Sequence, residues 1–514
     1  MSESNNKRIA KNTLLLYLRM LFTMAVSLYT SRVILNTLGV EDYGINNVVG
    51  GIVSMFSFIN GAMVTSTQRY LTYELGRGDM KKLQEVFSAS IYVHAVISLF
   101  IIILVETVGM WFFYEKMVIP SERMEAAMWV FQLSILTTVV NVMSVPYNSA
   151  IVAHERMSAF AMISVVEVLL KLLIVYMLVI GSFDKLKLYA ILTTCVSLFI
   201  RLIYTQYSHR HFEETRRIFR PDLALIKEMG KFAGWNLWGR FAGMLMGTGV
   251  NMLLNVFFGP VVNAARGIAI QVESAVAQFS SNFLMAVNPQ ITKLYAQNNL
   301  KDMYLLIYRS SKFTCFLLFA LSLPLLLETE TILKLWLKIV PEYTVYFLRL
   351  LLIIVVIDGV ANPLMTSAQA TGNVKVYQSV VGGILLAIVP FSYMALKMGG
   401  SPGSVYVVYL TVIIIAFYVR LLMLSRMIKL SVKEYVKEVI IRCVAVCLTA
   451  FTLMFLLKKI VPTGLTGSFI VCTMSFLSTV AISYFMGLTK GEKAFIISKI
   501  KAFIQKKDGD DSNK

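Results

Sequence analysis

The chain has 514 residues, of which 57% are apolar and 15% charged. Soluble globular domains carry about 25% charged residues, so the composition excludes an ordinary soluble protein and indicates one that crosses a membrane many times. The 48 lysines and arginines outnumber the 29 acidic residues and give a formal net charge of +19. In a membrane protein this excess reports on orientation rather than on nucleic-acid binding, and no nucleic-acid partner is expected.

Apolar segments of about 20 residues, long enough to cross a bilayer as helices, recur along the whole chain. They predict an all-α, polytopic membrane protein with about fourteen transmembrane helices. The predicted spans are, in chain order, 13–36, 43–67, 84–112, 126–150, 157–181, 187–206, 229–257, 262–288, 305–327, 343–369, 374–396, 403–425, 438–457 and 464–487. The basic residues before the first span do not lead into a cleavage site, so this span is expected to remain uncleaved.

Basic residues lie mostly on one side of the predicted spans. With the N-terminus in the cytoplasm, cytoplasmic segments hold roughly three times as many lysines and arginines as the opposite side. This bias predicts that both termini are cytoplasmic. In the tail, 488–514, apolar residues recur near one helix face among lysines, which predicts an amphipathic helix on the inner leaflet; a stop-transfer anchor is the alternative.

Polar residues inside the spans indicate which helix faces avoid lipid, because polar groups are expensive in hydrocarbon. Those expected to line a substrate lumen are Arg19, Arg32, Asn46, Gln68, Asn236, Arg240, Asn251, Arg266 and Gln290. Helix packing is the alternative for any one polar stripe. Packing does not explain Arg240, which lies about 16 Å into its span, where an arginine costs roughly 2.5–3.5 kcal/mol to insert.

Acidic residues at membrane depth divide into two kinds. Glu167 precedes Lys171 by one helical turn, the favourable order for an intrahelical ion pair. Glu273 and Asp358 have no basic residue nearby on their own helices, so both are candidates for binding a coupling ion, a proton or sodium. No phosphate-binding loop and no histidine cluster with metal-ligand spacing is present, so neither a metal nor a cofactor is expected.

An internal repeat organises the chain. Pro146 and Ala153 at the end of span four have the same spacing as Pro363 and Ala370 at the end of span ten. Spans 1–6 and 7–12 are therefore predicted to be copies. Since six is even, both copies enter the membrane from the same face, as in parallel-repeat transporters. The predicted domains are a six-helix bundle, a basic cytoplasmic linker, a second bundle, two additional helices and the tail, at 1–206, 207–228, 229–427, 438–487 and 488–514.

Several stretches resemble the O-antigen-type polysaccharide flippases of the multidrug/oligosaccharidyl-lipid/polysaccharide (MOP) superfamily. They are LGVEDYG at 38–44, FGPVVNAARGIAIQV at 258–272, NPQITKLYA at 288–296 and the two Pro/Ala segments. The resemblance implies two MATE-like six-helix bundles that work by alternating access in the bacterial inner membrane. Its cargo would be an undecaprenyl-diphosphate-linked oligosaccharide, for O-antigen or capsule synthesis. Lumenal arginines of such proteins meet the diphosphate, the role implied here for Arg19, Arg32, Arg240 and Arg266.

The same resemblance implies a proton or sodium gradient as the driving force, and membrane lipids as partners. It is also compatible with a polysaccharide polymerase and a chain-length regulator as further partners. A peptidoglycan-precursor flippase, a MATE-type multidrug antiporter and a non-transport scaffold remain alternatives. An enzyme is not expected, because the longest predicted non-cytoplasmic loops, 113–125 and 328–342, are too short for a catalytic surface.

Overall fold

A computed structural model of the protein describes residues 3–54, 57–115, 119–180, 183–220, 222–258, 260–337, 340–462 and 464–494. Their long helices are α1 (Glu3–Ser54), α2 (Ser57–Arg77), α3 (Met80–Glu115), α4 (Met124–Ala153), α5 (Met157–Ile180), α6 (Lys185–His211), α7 (Leu223–Phe258), α8 (Pro260–Ala296), α9 (Leu300–Leu327), α10 (Thr344–Ala370), α11 (Lys375–Lys397), α12 (Ser404–Met427), α13 (Val432–Ile460) and α14 (Leu465–Gly487). A short helix, Thr329–Leu337, precedes α10. The described residues contain no strand, and the predicted all-α fold is confirmed.

Eleven of the described helices are long and apolar enough to cross a membrane, namely α3 to α7 and α9 to α14. The helices that contain predicted spans one, two and eight are not among them, so the count of fourteen is not confirmed. Helix α1 also runs without a break through residues 37–42, where the sequence predicts a turn. This stretch contains one glycine, Gly39, and no proline, and a single glycine costs a helix only about 1 kcal/mol.

The chain divides into two compact units. Unit 1 comprises Met1–Leu245, Asn282–Met303 and Met365–Leu386, and unit 2 comprises Met246–Ser281, Tyr304–Leu364 and Ala387–Lys514. Unit 1 therefore takes residues from both predicted copies of the repeat, whereas unit 2 takes residues from the second copy and from the segments that follow it. The bundle boundaries expected from the repeat, 1–206 and 229–427, are not tested by this division and stay a prediction.

In unit 1, α4 packs against α2, α3 and α6, and α1 packs against α5. Two of the larger apolar clusters among the described residues lie in its interior. One includes the fully buried Leu71 and Phe87, and the other includes Val105 and Phe131. Inside a membrane such packing is stabilised by close van der Waals contact more than by exclusion of water.

One end of unit 1 is fixed by an ion-pair cluster centred on Arg123, just before α4. The Arg123 guanidinium donates to both oxygens of Asp42, at 2.6 and 2.8 Å, and to Asp184 at 2.6 Å. Asp184 also caps α6 by accepting the backbone N–H of Leu186. Burial alone would raise the pKa of Asp184, but the Arg123 hydrogen bond and the helix cap hold it below its ordinary value. The cluster thus ties α1 to the first turns of α4 and α6.

In unit 2, α13 packs against α14, and the segment that follows α14 is fixed to α9 by a buried ion pair. Lys312 of α9 is 2% exposed, and its Nζ lies 2.9 Å from Glu492. Burial alone would raise the pKa of Glu492, but the backbone N–H of Thr489 and the Lys312 ammonium hold it below its ordinary value. Beyond residue 494, the predicted amphipathic tail lies outside the described residues.

Candidate functional site

Arg240, in the middle of α7, lies against α2. Its Nη2 donates to the Thr65 hydroxyl at 3.1 Å, and a β-carbon at Gly61 would come within 2.8 Å of its Nη1. A glycine at position 61 therefore leaves the space that the guanidinium occupies. The residue is exposed, and among the described residues no carboxylate lies within ion-pair distance of it. The structure thus presents an accessible cation with a neutral partner.

Arg19 of α1 is the second arginine with neutral partners. Its Nη2 donates to Asn282 Oδ1 at 3.0 Å, and its guanidinium lies 4.9 Å from the centre of the Phe160 ring. Its Nε is buried without a hydrogen-bond partner in the described part of the chain. Arg32 also falls within α1, but its side chain is outside the described set.

Arg266 has different surroundings. It is 6% exposed and donates to the Gly247 carbonyl at 2.9 Å and to the Tyr406 hydroxyl at 3.2 Å. These bonds join α7, α8 and α12 inside unit 2. The expectation that Arg266 faces the cargo does not fit this geometry, because both terminal nitrogens are engaged in a buried site.

The amide side chains expected in the lumen also divide. Asn236 is 3% exposed, and its Oδ1 accepts hydrogen bonds from Gln369 and Gln378 at 3.3 and 3.1 Å. Gln290 is 2% exposed and donates to Glu155. Both therefore belong to closed hydrogen-bond networks. Asn46 and Gln68 are half-buried and Asn251 is exposed, so these three are more accessible than Asn236 and Gln290.

The acidic candidates also have partners that the sequence did not show. Asp358 of α10 lies 3.8 Å from Arg420 of α12, a basic partner from another helix. Glu273 of α8 accepts from the Ser274 hydroxyl at 3.4 Å and interacts electrostatically with Asp358. The two acids therefore interact with each other within unit 2.

Elsewhere, Lys171 Nζ lies 2.6 Å from Glu167 Oε1 within α5. This pair neutralises both charges locally, so neither residue is available as a free charge for a cargo or a coupling ion.

Sequence reasoning missed the cluster around Glu155, in the turn after α4. Its carboxylate is 1% exposed, and it lies 2.8 Å from Arg8 Nε and 2.6 Å from Lys293 Nζ. Gln290 donates to the same carboxylate, and Asn12 donates to its backbone carbonyl at 3.2 Å. This one residue therefore joins α1 and the turn after α4, from the first predicted copy, to the end of α8 in the second.

Aligning the two copies of the repeat would have singled out Glu155 from the sequence. Glu155 has a left-handed φ of 59°, and Gly372, at the equivalent position after α10, has a φ of 78°. Glycine is the usual residue for this conformation and glutamate is not. A charged residue where the other copy has glycine therefore indicates a side chain with a role of its own.

Helix α2 contacts the turn after α10 much as α8 contacts the turn after α4. Arg69 donates from Nη2 to the Ala370 carbonyl at 3.0 Å, and a β-carbon at Gly372 would come within 2.5 Å of that nitrogen. Helix α8 of the second copy meets the turn of the first, and α2 of the first meets the turn of the second. The two contacts are reciprocal.

The Glu155 cluster and the Arg123 cluster contact α1 at two widely separated positions. Arg8 contacts the first and Asp42 the second, and their separation of 34 positions corresponds to about 51 Å of helix. A bilayer with its headgroup regions is about 40–45 Å thick. The two clusters are thus spaced to lie at its two surfaces.

Comparison with solved structures identifies the fold. The chain is similar to an outward-facing multidrug resistance MATE family transporter of the MOP superfamily, with a TM-score of 0.70, 14% identity and coverage of 83% of this chain and 96% of that one. It is similar to a MATE in the bent conformation, with a TM-score of 0.69, 13% identity and coverage of 83% and 96%.

A third similar structure is a MOP superfamily transporter from Pyrococcus furiosus, described by the reverse polarity of its binding pocket. Its TM-score is 0.65, with 14% identity and coverage of 82% and 96%. No protein-family model and no curated protein matches the sequence. The chain therefore has the MATE-like transporter fold.

Proposed function

We propose that this protein is a membrane transporter for an anionic, lipid-linked cargo. The cargo is an undecaprenyl-diphosphate-linked oligosaccharide, flipped across the bacterial inner membrane for O-antigen or capsule synthesis. The observation that carries the proposal is Arg240, an accessible guanidinium in the middle of a membrane-spanning helix with a threonine hydroxyl as its partner. Such a cation is costly in hydrocarbon unless it faces water or meets an anion.

Arginine suits a diphosphate for geometric reasons. Its planar guanidinium donates two parallel hydrogen bonds to phosphate oxygens and keeps its charge at physiological pH. Arg19 supports the assignment, because its described partners are an amide and an aromatic ring, so its charge is also uncompensated in unit 1.

The fold alone leaves the cargo open, since one fold serves many functions. Among the similar structures are a multidrug resistance transporter and a transporter described by reversed pocket polarity. A site with uncompensated arginines suits an anionic cargo better than a cationic drug. The polarity of the described residues therefore favours the polysaccharide-lipid cargo.

Alternating access requires contacts between the two copies that break and re-form. The Glu155 cluster and the Arg69 contact join residues of the first predicted copy to residues of the second within unit 1. In the proposed cycle, both contacts hold one side closed and separate when that side opens. A buried carboxylate with several donors suits this role, because water and ions replace its partners once it becomes exposed.

A multidrug antiporter of the same fold is the second candidate, and the acids of unit 2 are the observation that favours it. Glu273 and Asp358 interact electrostatically, and acids at membrane depth can bind a cation or a proton. In the flippase proposal the same pair couples transport to a proton or sodium gradient. The two functions then differ in their cargo and share their driving force.

The test measures flipping of a fluorescent diphosphate-linked oligosaccharide by the full chain in proteoliposomes. Arg240→Ala is expected to lower the rate at least about tenfold, the effect of one lost charge-assisted hydrogen bond or more. Arg240→Lys is expected to recover part of the rate, because the charge remains and the two-pronged geometry does not. Arg426→Ala, at an exposed arginine in the last turn of α12, is the matched control.

A normal rate in a well-inserted Arg240→Ala protein would contradict the anionic-cargo role. Efflux of a cationic dye by the wild type, without flipping of the oligosaccharide lipid, would favour the antiporter. Equal flipping of a peptidoglycan-precursor lipid would widen the cargo to that class.

A further inference from the structure

Unit 2 contains a cavity of about 510 Å³ that no part of the proposed transport cycle uses. It lies where the end of α9, the helix Thr329–Leu337, the start of α10 and the facing ends of α13 and α14 meet. Pockets that bind small molecules have volumes of about 300–1,000 Å³. The cavity is therefore large enough for a polar lipid headgroup.

Two ion pairs occupy part of its wall. Glu328 is buried, its Oε1 lies 2.9 Å from Lys458 Nζ, and its Oε2 accepts from the Ser468 hydroxyl at 2.7 Å. Glu330 lies 2.6 Å from Lys334, and both of these side chains are exposed. The Lys334 hydrogen bond holds the pKa of Glu330 below its ordinary value. Both carboxylates are thus charged and matched by a lysine.

Arg349 is the third cation of the wall and has no such match. Its Nε donates to the Thr329 hydroxyl at 3.2 Å, and it is exposed. Among the described residues no carboxylate lies within ion-pair distance of it, although Glu330 acts on it at longer range. Three cations against two carboxylates leave the described wall of the cavity with one positive charge, carried by a guanidinium whose terminal nitrogens donate to none of the described residues.

The apolar residues around the cavity indicate that it opens at the edge of the bilayer. Leu335 and Leu465 belong to its wall and are 63% and 62% exposed, and Trp336 is 49% exposed. In a membrane protein such side chains face lipid, and tryptophan is enriched where acyl chains meet headgroups. The helix Thr329–Leu337 also carries Lys334 next to Leu335, and interfacial helices combine lysines with apolar residues in this way.

We propose that this cavity binds the phosphate of an anionic phospholipid. The Arg349 guanidinium donates to the phosphate oxygens, and the acyl chains extend past Leu335 and Leu465 into the bilayer. One negative headgroup balances the one positive charge of the wall. The bound lipid fills the gap between the bundle helices α9 and α10 and the additional helices α13 and α14, so it stabilises their packing.

The experiment uses the purified full chain in detergent, with its melting temperature measured against added phosphatidylglycerol, phosphatidylcholine or inorganic phosphate. Phosphatidylglycerol is expected to raise the melting temperature, and zwitterionic phosphatidylcholine is expected to have a much smaller effect. Arg349→Gln should weaken the apparent phosphatidylglycerol affinity about tenfold, as expected for a lost charge-assisted hydrogen bond. Arg349→Lys should recover part of that loss.

Arg426→Gln, at an exposed arginine of α12 remote in sequence from the cavity wall, is the control and should respond to the lipid as the wild type does. A lipid response that is the same in Arg349→Gln and the wild type would overturn the site. Absence of a phosphatidylglycerol response in the wild type would also overturn it. Stabilisation by inorganic phosphate to the same extent would overturn the lipid assignment and identify a free-anion site.

Discussion

Replacing Glu155 by glutamine tests whether the charged cluster after α4 stabilises unit 1. The wild-type carboxylate is 1% exposed, and the side chains of its partners Lys293 and Arg8 are 19% and 46% exposed. Glutamine keeps the size of the side chain and removes its charge. The mostly buried Lys293 ammonium then has no carboxylate partner at this position.

The size of the effect follows from burial. Breaking a fully buried ion pair costs about 3–5 kcal/mol, whereas an exposed pair contributes about 0–1 kcal/mol. The Lys293 pair is mostly buried, and the Arg8 pair is half exposed and screened by water. We therefore expect Glu155→Gln to destabilise the protein by about 2–4 kcal/mol.

Glu155→Gly compares two effects on stability, the loss of the carboxylate and the relief of an unfavourable backbone conformation. Glycine removes the left-handed strain of this position, which costs a residue with a side chain about 1–2 kcal/mol, but it also removes the carboxylate. Because the expected charge effect is the larger, Glu155→Gly should also be less stable than the wild type.

The assay is thermal denaturation of the full chain in detergent, with Glu125→Gln as the matched control. Glu125 also pairs with a lysine, at 2.7 Å, but its side chain is 78% exposed. The control should change stability by less than about 0.5 kcal/mol. The reasoning from burial would be wrong if Glu155→Gln had the same melting temperature as the control. It would also be wrong if Glu155→Gly had a higher melting temperature than the wild type.

Three further predictions concern orientation, coupling and packing. Cysteines introduced near Pro341 should react with an impermeant reagent from outside, and those near Arg217 only after permeabilisation; the reverse would overturn the assignment from basic residues. Glu273→Gln and Asp358→Asn should each abolish gradient-driven transport while cargo exchange continues, and unchanged gradient dependence in both would remove them as ion carriers. Arg266→Ala should lower the melting temperature, because two buried hydrogen bonds are lost, and a change in transport at normal stability would return this residue to the cargo site.

The sequence predicted well what depends on local spacing. Glu167 and Lys171 are one helical turn apart, so their 2.6 Å contact follows from helix geometry alone. The repeat likewise placed Glu155 and Gly372 at equivalent positions, and both have left-handed backbones. Local conformation repeats because it is determined by residues within a few positions.

What the sequence missed depends on residues far apart in the chain. Arg266 and Arg240 both lie on polar stripes, but Tyr406, 140 residues away, covers the first and leaves it buried. A stripe shows that a face avoids lipid and does not show which neighbour covers it. The partners of Glu155 were unpredictable for the same reason, since Arg8 and Lys293 lie on other helices.

The Lys312–Glu492 pair has a consequence for how the chain is made. Synthesis runs from the N-terminus, so the ammonium of α9 enters the membrane 180 residues before the carboxylate that neutralises it. Until the segment after α14 emerges from the ribosome, α9 carries an uncompensated charge at a position that is buried in the finished protein. A product truncated before residue 492 therefore lacks the carboxylate that pairs with Lys312 in the complete chain.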